Sequence, residues 1–295
     1  MAIMKEILSH SDIQNPSEAL TRLYQLMGIE KVVNMENENA VLCSPHKTAI
    51  PVEFGIRKAY NPERSMRSVV RVNNLILADD ESCQSVEKKG CLLIPGFHLL
   101  RMRSPLPYSS IGRGYITHFA ATAAAVLDSE KEIIGKTVLD LGAGEAPLSM
   151  TALIKGAKFA IMIEKDPLCA SNAQLNMRLN SLENKGRIFN EDIGFLSESC
   201  QRSLDKTEIL IANIGPHEIY GGQEGAHLSA VSILGYLPLV QTLILGGYGP
   251  DGSDLGPEKI IKALSRKGFE VASRYQIREI NGERTGAQAL VFNKK

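Results

Sequence analysis

Val138-Leu139-Asp140-Leu141-Gly142-Ala143-Gly144-Glu145-Ala146-Pro147 is the stretch from which the architecture can be read. An apolar strand runs into a turn carrying two glycines, and Pro147 suits the first turn of a helix that starts there. Gly142 and Gly144 remove Cβ atoms where the backbone must turn tightly, and they let a ligand approach the main chain. In an open α/β sheet that ligand lies outside the carboxyl end of the strand.

Outward from this turn the C-terminal part has the rhythm of a parallel, Rossmann-like sheet. A helix over 117–129 precedes strand 137–141 and is followed by helix 146–156, strand 159–163, helix 167–180 and a short strand near 187–190. Strand 208–212, a helix around 225–236, strand 242–246 and helix 257–267 come next. Strands near 270–278 and 287–293, joined through Asn281-Gly282, read as an antiparallel ending.

Toward the N-terminus the pattern changes. Residues 16–28 place Leu20, Leu23, Tyr24 and Met27 at helical spacing, with Ser17 as N-cap and Gly28 as stop. Between 40 and 100, short β-prone pieces separated by Pro, Gly and charged turns suggest a small sheet. Ser104-Pro105-Leu106-Pro107 reads as a linker, which divides the chain into an α+β acceptor-recognition region, 1–105, and a cofactor-binding domain, 106–295. Segment 46–113 carries eleven basic against six acidic residues. That excess fits either a solvated sheet face or a surface receiving an anionic acceptor.

Composition narrows the function. The 33 basic and 33 acidic residues cancel, so no global field draws the chain to nucleic acid or to an anionic membrane. The start lacks the sections of a signal peptide, and no apolar run approaches the roughly 20 residues of a membrane span. Five scattered cysteines form neither a CxxC pair nor a Cys/His cluster, so neither a metal site nor a disulfide framework is expected, and reduced thiols in the cytoplasm fit best.

A lone GxG is weak, and its neighbours decide what it binds. Glu164 ends the second strand about 20 residues beyond the first glycine, the distance at which an acid accepts from ribose hydroxyls. Asp192 follows the third strand, where it could accept from an adenine amino group or simply be an exposed acid. In a dinucleotide fingerprint GxGxxG the third glycine stands where this chain has Pro147. A pyrophosphate also leaves the acid Asp140 unexplained, whereas an ammonium and a sulfonium explain it. The spacing favours S-adenosylmethionine (SAM) over a nicotinamide cofactor.

Residues 140–167 resemble the first two motifs of the class I SAM-dependent methyltransferases, and the similarity runs over roughly 110–295. Gly112-Arg113-Gly114-Tyr115-Ile116-Thr117-His118 and Ala212-Asn213-Ile214 resemble the loop and strand-end motifs of the bacterial ribosomal-protein lysine methyltransferases. The resemblance implies a seven-stranded methyltransferase domain with Asp140, Gly142, Gly144, Glu164 and Asn213 around SAM and Thr117 and His118 closing over it. It departs from that family at Gly215-Pro216-His217-Glu218 and in the N-terminal region. The glycine loop also resembles that of the nicotianamine synthases, which implies aminobutyrate transfer as the alternative chemistry.

Two residues are candidates for catalysis. Asn213, at a strand end, can orient an amine acceptor, although an Asn there can also merely turn the chain. His217 could deprotonate a hydroxyl or ammonium acceptor or be a surface histidine. The expected activity is methyl transfer to an amine of a protein side chain or small molecule.

Overall fold

The computed structural model describes residues 23, 27, 32–37, 50–51, 54–61, 64–89, 96–103, 113–214, 234–249, 252–253, 256–280 and 283–295. The N-terminal strands are β1 (Val32–Asn37), β2 (Ile50–Pro51), β3 (Phe54–Asn61), β4 (Arg64–Val72), β5 (Leu75–Asp79) and, after helix α1 (Asp80–Lys89), β6 (His98–Met102). Five of them form a sheet in the order β1-β3-β4-β5-β6, antiparallel except for β5 and β6, which α1 connects as a crossover.

Helix α2 (Arg113–Asp128) and the short α3 (Glu130–Ile133) lead into the second sheet. Its elements are β7 (Thr137–Leu141), α4 (Pro147–Ile154), β8 (Phe159–Ile163), α5 (Pro167–Leu179), β9 (Gly186–Phe189), α6 (Glu198–Leu204), β10 (Ile209–Ala212), β11 (Thr242–Tyr248), α7 (Glu258–Ser265), β12 (Phe269–Ile280) and β13 (Glu283–Lys294). The order is β2-β12-β13-β11-β10-β7-β8-β9, with β9 through β11 parallel and β13 antiparallel to both its neighbours. The seven expected strands are thus present. An eighth, two-residue strand, β2, comes from the N-terminal region and pairs in parallel with β12.

This order fixes where a ligand belongs. From β7 the chain winds outward to β8 and β9, then returns to β10 on the other side of β7 and winds outward again. The reversal opens a crevice at the carboxyl ends of β7 and β10, the place where open α/β sheets hold ligands. Buried on both faces, the parallel strands need continuous apolar runs, as in Val138-Leu139 and Ile209-Leu210-Ile211, all at most 2% exposed.

The two sheets share one core. Val70, Val72, Leu75, Leu77, Leu100 and Met102 of the small sheet join a cluster with Ala120 to Leu127 of α2 and with Val138, Met150 and Met177. Polar contacts reinforce the joint: the Arg103 N–H donates to Asn176 Oδ1 at 2.7 Å, the Arg101 N–H donates to Asn180 Oδ1 at 3.0 Å, and Asn180 Nδ2 returns a bond to the Arg101 carbonyl at 2.8 Å. The expected boundary at 105/106 lies outside the described residues, as does most of the helix expected around 225–236, whose last three residues form a 3-10 turn. Of the N-terminal helix only Leu23 and Met27 are described. Both are buried, and the Met27 N–H donates to the Leu23 carbonyl with the i to i−4 pattern of a helix.

Helix α1 departs from the sequence reading, which had charged turns there. Asp79 caps it, accepting from the Ser82 N–H at 2.7 Å and the Ser82 hydroxyl at 2.9 Å, while Ser82, Cys83 and Val86 turn inward. No helix of the described residues is long and apolar enough to cross a membrane.

Candidate cofactor and acceptor site

The carboxyl ends of β7, β8 and β9 are stitched together by short-range bonds. The N–H groups of Gly142 and Ala143 both donate to the Ile163 carbonyl, at 2.9 and 3.1 Å, folding the glycine turn back over the end of β8. Gly142 has φ +65°, and a Cβ there would lie 2.6 Å from Ile214 Cγ2, so only glycine fits between the turn and the chain leaving β10. Ala146 takes a left-handed φ of 67° immediately before Pro147 opens α4, with no side-chain cap of its own.

That missing cap is supplied from the strand. Asp140 Oδ2 accepts from the Ser149 N–H at 3.1 Å and from the Ser149 hydroxyl at 2.7 Å, so the acid ties the start of α4 to β7. Its other oxygen, Oδ1, is buried without a hydrogen-bond partner. Burial pushes the Asp140 carboxyl up to about 7, against the pull of the Ser149 donors and with the charge of Glu164 adding to the rise.

Glu164 occupies the end of β8 and is 9% exposed. Its Oε2 accepts from the Gly144 N–H and its Oε1 from the Asp166 N–H, both at 2.8 Å. The carboxylate therefore grips the second glycine of the turn and still has lone pairs to offer, since two oxygens carry about four acceptor positions. Asn190, after β9, donates to the carbonyls of Glu164 and Lys165 at 2.8 and 3.0 Å and holds that acid's backbone in turn. Asp192 is exposed, and its Oδ1 accepts from the Gly194 N–H at 2.8 Å in a local turn.

Glu145, which the sequence reading passed over, is 4% exposed. Its Oε1 accepts from Asn172 at 2.9 Å, its Oε2 has no partner, and burial raises its carboxyl above the usual range. Asn176 Nδ2 donates to the Glu145 carbonyl at 3.0 Å while Asn176 Oδ1 receives the Arg103 N–H, so one fully buried side chain joins the glycine loop to the small sheet.

On the other side of the crevice, Asn213 directly follows β10. The pairing of Leu141 with Ala212 brings it level with Gly142. Its Oδ1 accepts from the Thr122 hydroxyl of α2 at 2.7 Å. Thr117 and His118 lie in the first turns of α2, their side chains outside the described residues, and His217 is outside them altogether. The geometry thus brings Asp140, Gly142, Gly144, Glu164 and Asn213 to one crevice, with Asp192 on the loop after β9. Thr122 escaped the sequence reading because it is a single polar residue in an alanine-rich helical run, and that isolation was the signal available.

A family model for ribosomal protein L11 methyltransferase matches residues 118–219. The chain is 31% identical over 192 residues to the ribosomal protein L11 methyltransferase of Deinococcus radiodurans, covering 64% of this chain and 63% of that protein. It is 29% identical over 106 residues to the one from Psychrobacter arcticus, covering 35% and 34%. The chain therefore spans less than two thirds of the length of these relatives. A ribosomal protein L11 methylase structure from Lactobacillus delbrueckii subsp. bulgaricus superposes with a TM-score of 0.52 at 16% identity, covering 76% of this chain and 95% of that one. The large sheet has the class I methyltransferase fold, and the residues around its switch point are similar to the ribosomal protein L11 methyltransferases.

Proposed function

We propose that this chain is a SAM-dependent methyltransferase whose acceptor is an amine of a protein side chain. The observation that carries this reading is the Glu164 carboxylate bonded to the Gly144 N–H at the switch point, because it joins a hydroxyl acceptor to a turn whose two glycines have no side chain. The residues present fit SAM. Glu164 would take the ribose hydroxyls, the backbone of Gly142 and Gly144 would line the sulfur end, and the unpartnered buried oxygen of Asp140 favours a positive charge nearby. Asp192 would meet the adenine edge, and Thr117 and His118 would border the mouth.

SAM supplies an electrophilic methyl group on a sulfonium. What the protein must add is alignment, since an in-line displacement depends on holding the nucleophile behind the methyl carbon. Asn213 is suited to this, because Thr122 engages one lone pair of its amide oxygen and the other can accept from an acceptor N–H. An amine must be neutral to attack. His217 would take its proton, and a substrate arriving neutral would make that group dispensable. The relatives' names support ribosomal protein L11, or a protein resembling it, as the first acceptor to try. Residues 1–105 would recognise it, since the cofactor residues all follow residue 110.

The test is product analysis. Incubation with SAM and ribosomal protein L11 should yield S-adenosylhomocysteine and a methylated lysine. Methylthioadenosine as the nucleoside product would instead assign aminobutyrate transfer, and the methyltransferase reading would fall.

A further inference from the structure

Asn213 does not stand alone at the end of β10. The hydroxyl that holds it belongs to Thr122, which is 0% exposed and lies 91 residues earlier in the chain. The space around the pair is kept open by a third residue. Gly246 in β11 has no side chain, and a Cβ built there would stand 1.7 Å from Thr122 Oγ1, 3.0 Å from Thr122 Cβ and 2.6 Å from Asn213 Oδ1. The Thr122–Asn213 bond therefore passes through the volume that any other residue at 246 would fill. Gly246 lies within a strand, where glycine weakens the sheet and often marks a close approach of other atoms.

We propose that Thr122 is a positioning residue for the acceptor half of the site, and that Gly246 is side-chain-free so that Thr122 can reach Asn213. The inference rests on the SAM-dependent reading above. The hydroxyl fixes the plane and depth of the Asn213 carboxamide, leaving its second lone pair directed at one place. Without the hydroxyl the amide can rotate, and a donor N–H can replace the acceptor oxygen at the point where an amine must be held. Thr122 itself touches neither cofactor nor acceptor.

The test uses two SAM analogues that need no acceptor. S-adenosylhomocysteine reads the cofactor site alone. Sinefungin carries an amine where SAM carries its methylsulfonium, so its preference over S-adenosylhomocysteine reads the group that holds an amine at the reacting point. Calorimetry on the full chain should show wild type preferring sinefungin. Thr122→Val, nearly isosteric, should lower that preference about tenfold, the scale of one hydrogen bond to a charged group, and leave S-adenosylhomocysteine affinity unchanged. Thr122→Ser should restore the preference, and Gly246→Ala should reproduce the Val result. An unchanged preference in Thr122→Val, an equal loss for both ligands or a wild type with no preference would overturn the proposal. A wild-type chain that binds neither analogue would instead overturn the SAM reading itself.

Discussion

The two sides of the crevice are built in different ways. On the β7–β8–β9 side the strand-end acids take N–H groups of adjoining loops, as Glu164 does with Gly144 and Asp140 with Ser149. On the β10–β11 side Asn213 is anchored by a side-chain bond from Thr122, across 91 residues of sequence. The first construction suits a ligand of fixed shape, because backbone donors and buried acids cannot adjust much. The second can be retuned by substitution on α2, β10 or β11 without disturbing the glycine turn. On the proposed reading the β7–β8–β9 side would be the generic, cofactor-holding half and the Asn213 side the half that would set acceptor choice.

The largest effect should come from the Asn213 side. Asn213→Ala should lower kcat by on the order of 100-fold or more, the cost of one well-placed polar group in an active site, with the dissociation constant of SAM nearly unchanged. Steady-state kinetics beside calorimetry checks it. Equal losses in both would erase the division between the halves.

Next in size is the cofactor side. Glu164→Ala should weaken SAM by roughly 1.5–3 kcal/mol, the scale of hydrogen bonds to a charged acceptor. It should also destabilise the apo chain, because the Gly144 N–H loses its acceptor. Glu164→Gln keeps one acceptor oxygen and should fall between. An unchanged dissociation constant for Glu164→Ala would remove the ribose assignment.

A smaller effect tests whether the small sheet is mechanically part of the cofactor half. Asn176→Ala orphans the Arg103 N–H and the Glu145 carbonyl together and should cost about 1–3 kcal/mol of unfolding free energy. Denaturant unfolding should keep a single transition, because the two sheets share a core. Two separated transitions would show the sheets to be independent.

The last effect is a pH dependence. Asp140 is raised to about 7 in the folded chain from an ordinary value of 3.8, chiefly by burial. The folded state thus binds its proton more tightly than the unfolded state, so apo stability should decline as pH rises between those values. SAM, being cationic, prefers the ionised carboxylate, and its affinity should rise through the same window. Asp140→Asn should flatten both slopes, and slopes that survive in it would assign the titration elsewhere.

The legible parts of this molecule were those set by local physics. The strand limits 137–141 and 159–163 and the crevice acids followed from apolar runs, glycine spacing and the position of Glu164, since buried parallel strands and tight turns leave few choices of residue. What stayed hidden depends on tertiary partners. Half of helix α1 is charged, and its buried residues show only once the small sheet lies beside it. The short β2 pairs with a strand more than 200 residues later. Asp140 was read as a cofactor residue, and its bond to Ser149, which caps α4, could not be inferred without the fold. Thr122 and Gly246 acquire meaning only through their distance from Asn213.

The most direct measurement is a crystal structure of the chain with S-adenosylhomocysteine. The account predicts ribose hydroxyls on the Glu164 carboxylate, the amino group on the Asp140 side of the glycine turn and the sulfur facing Asn213. A ligand bound elsewhere, or a ribose with no contact to Glu164, would contradict it.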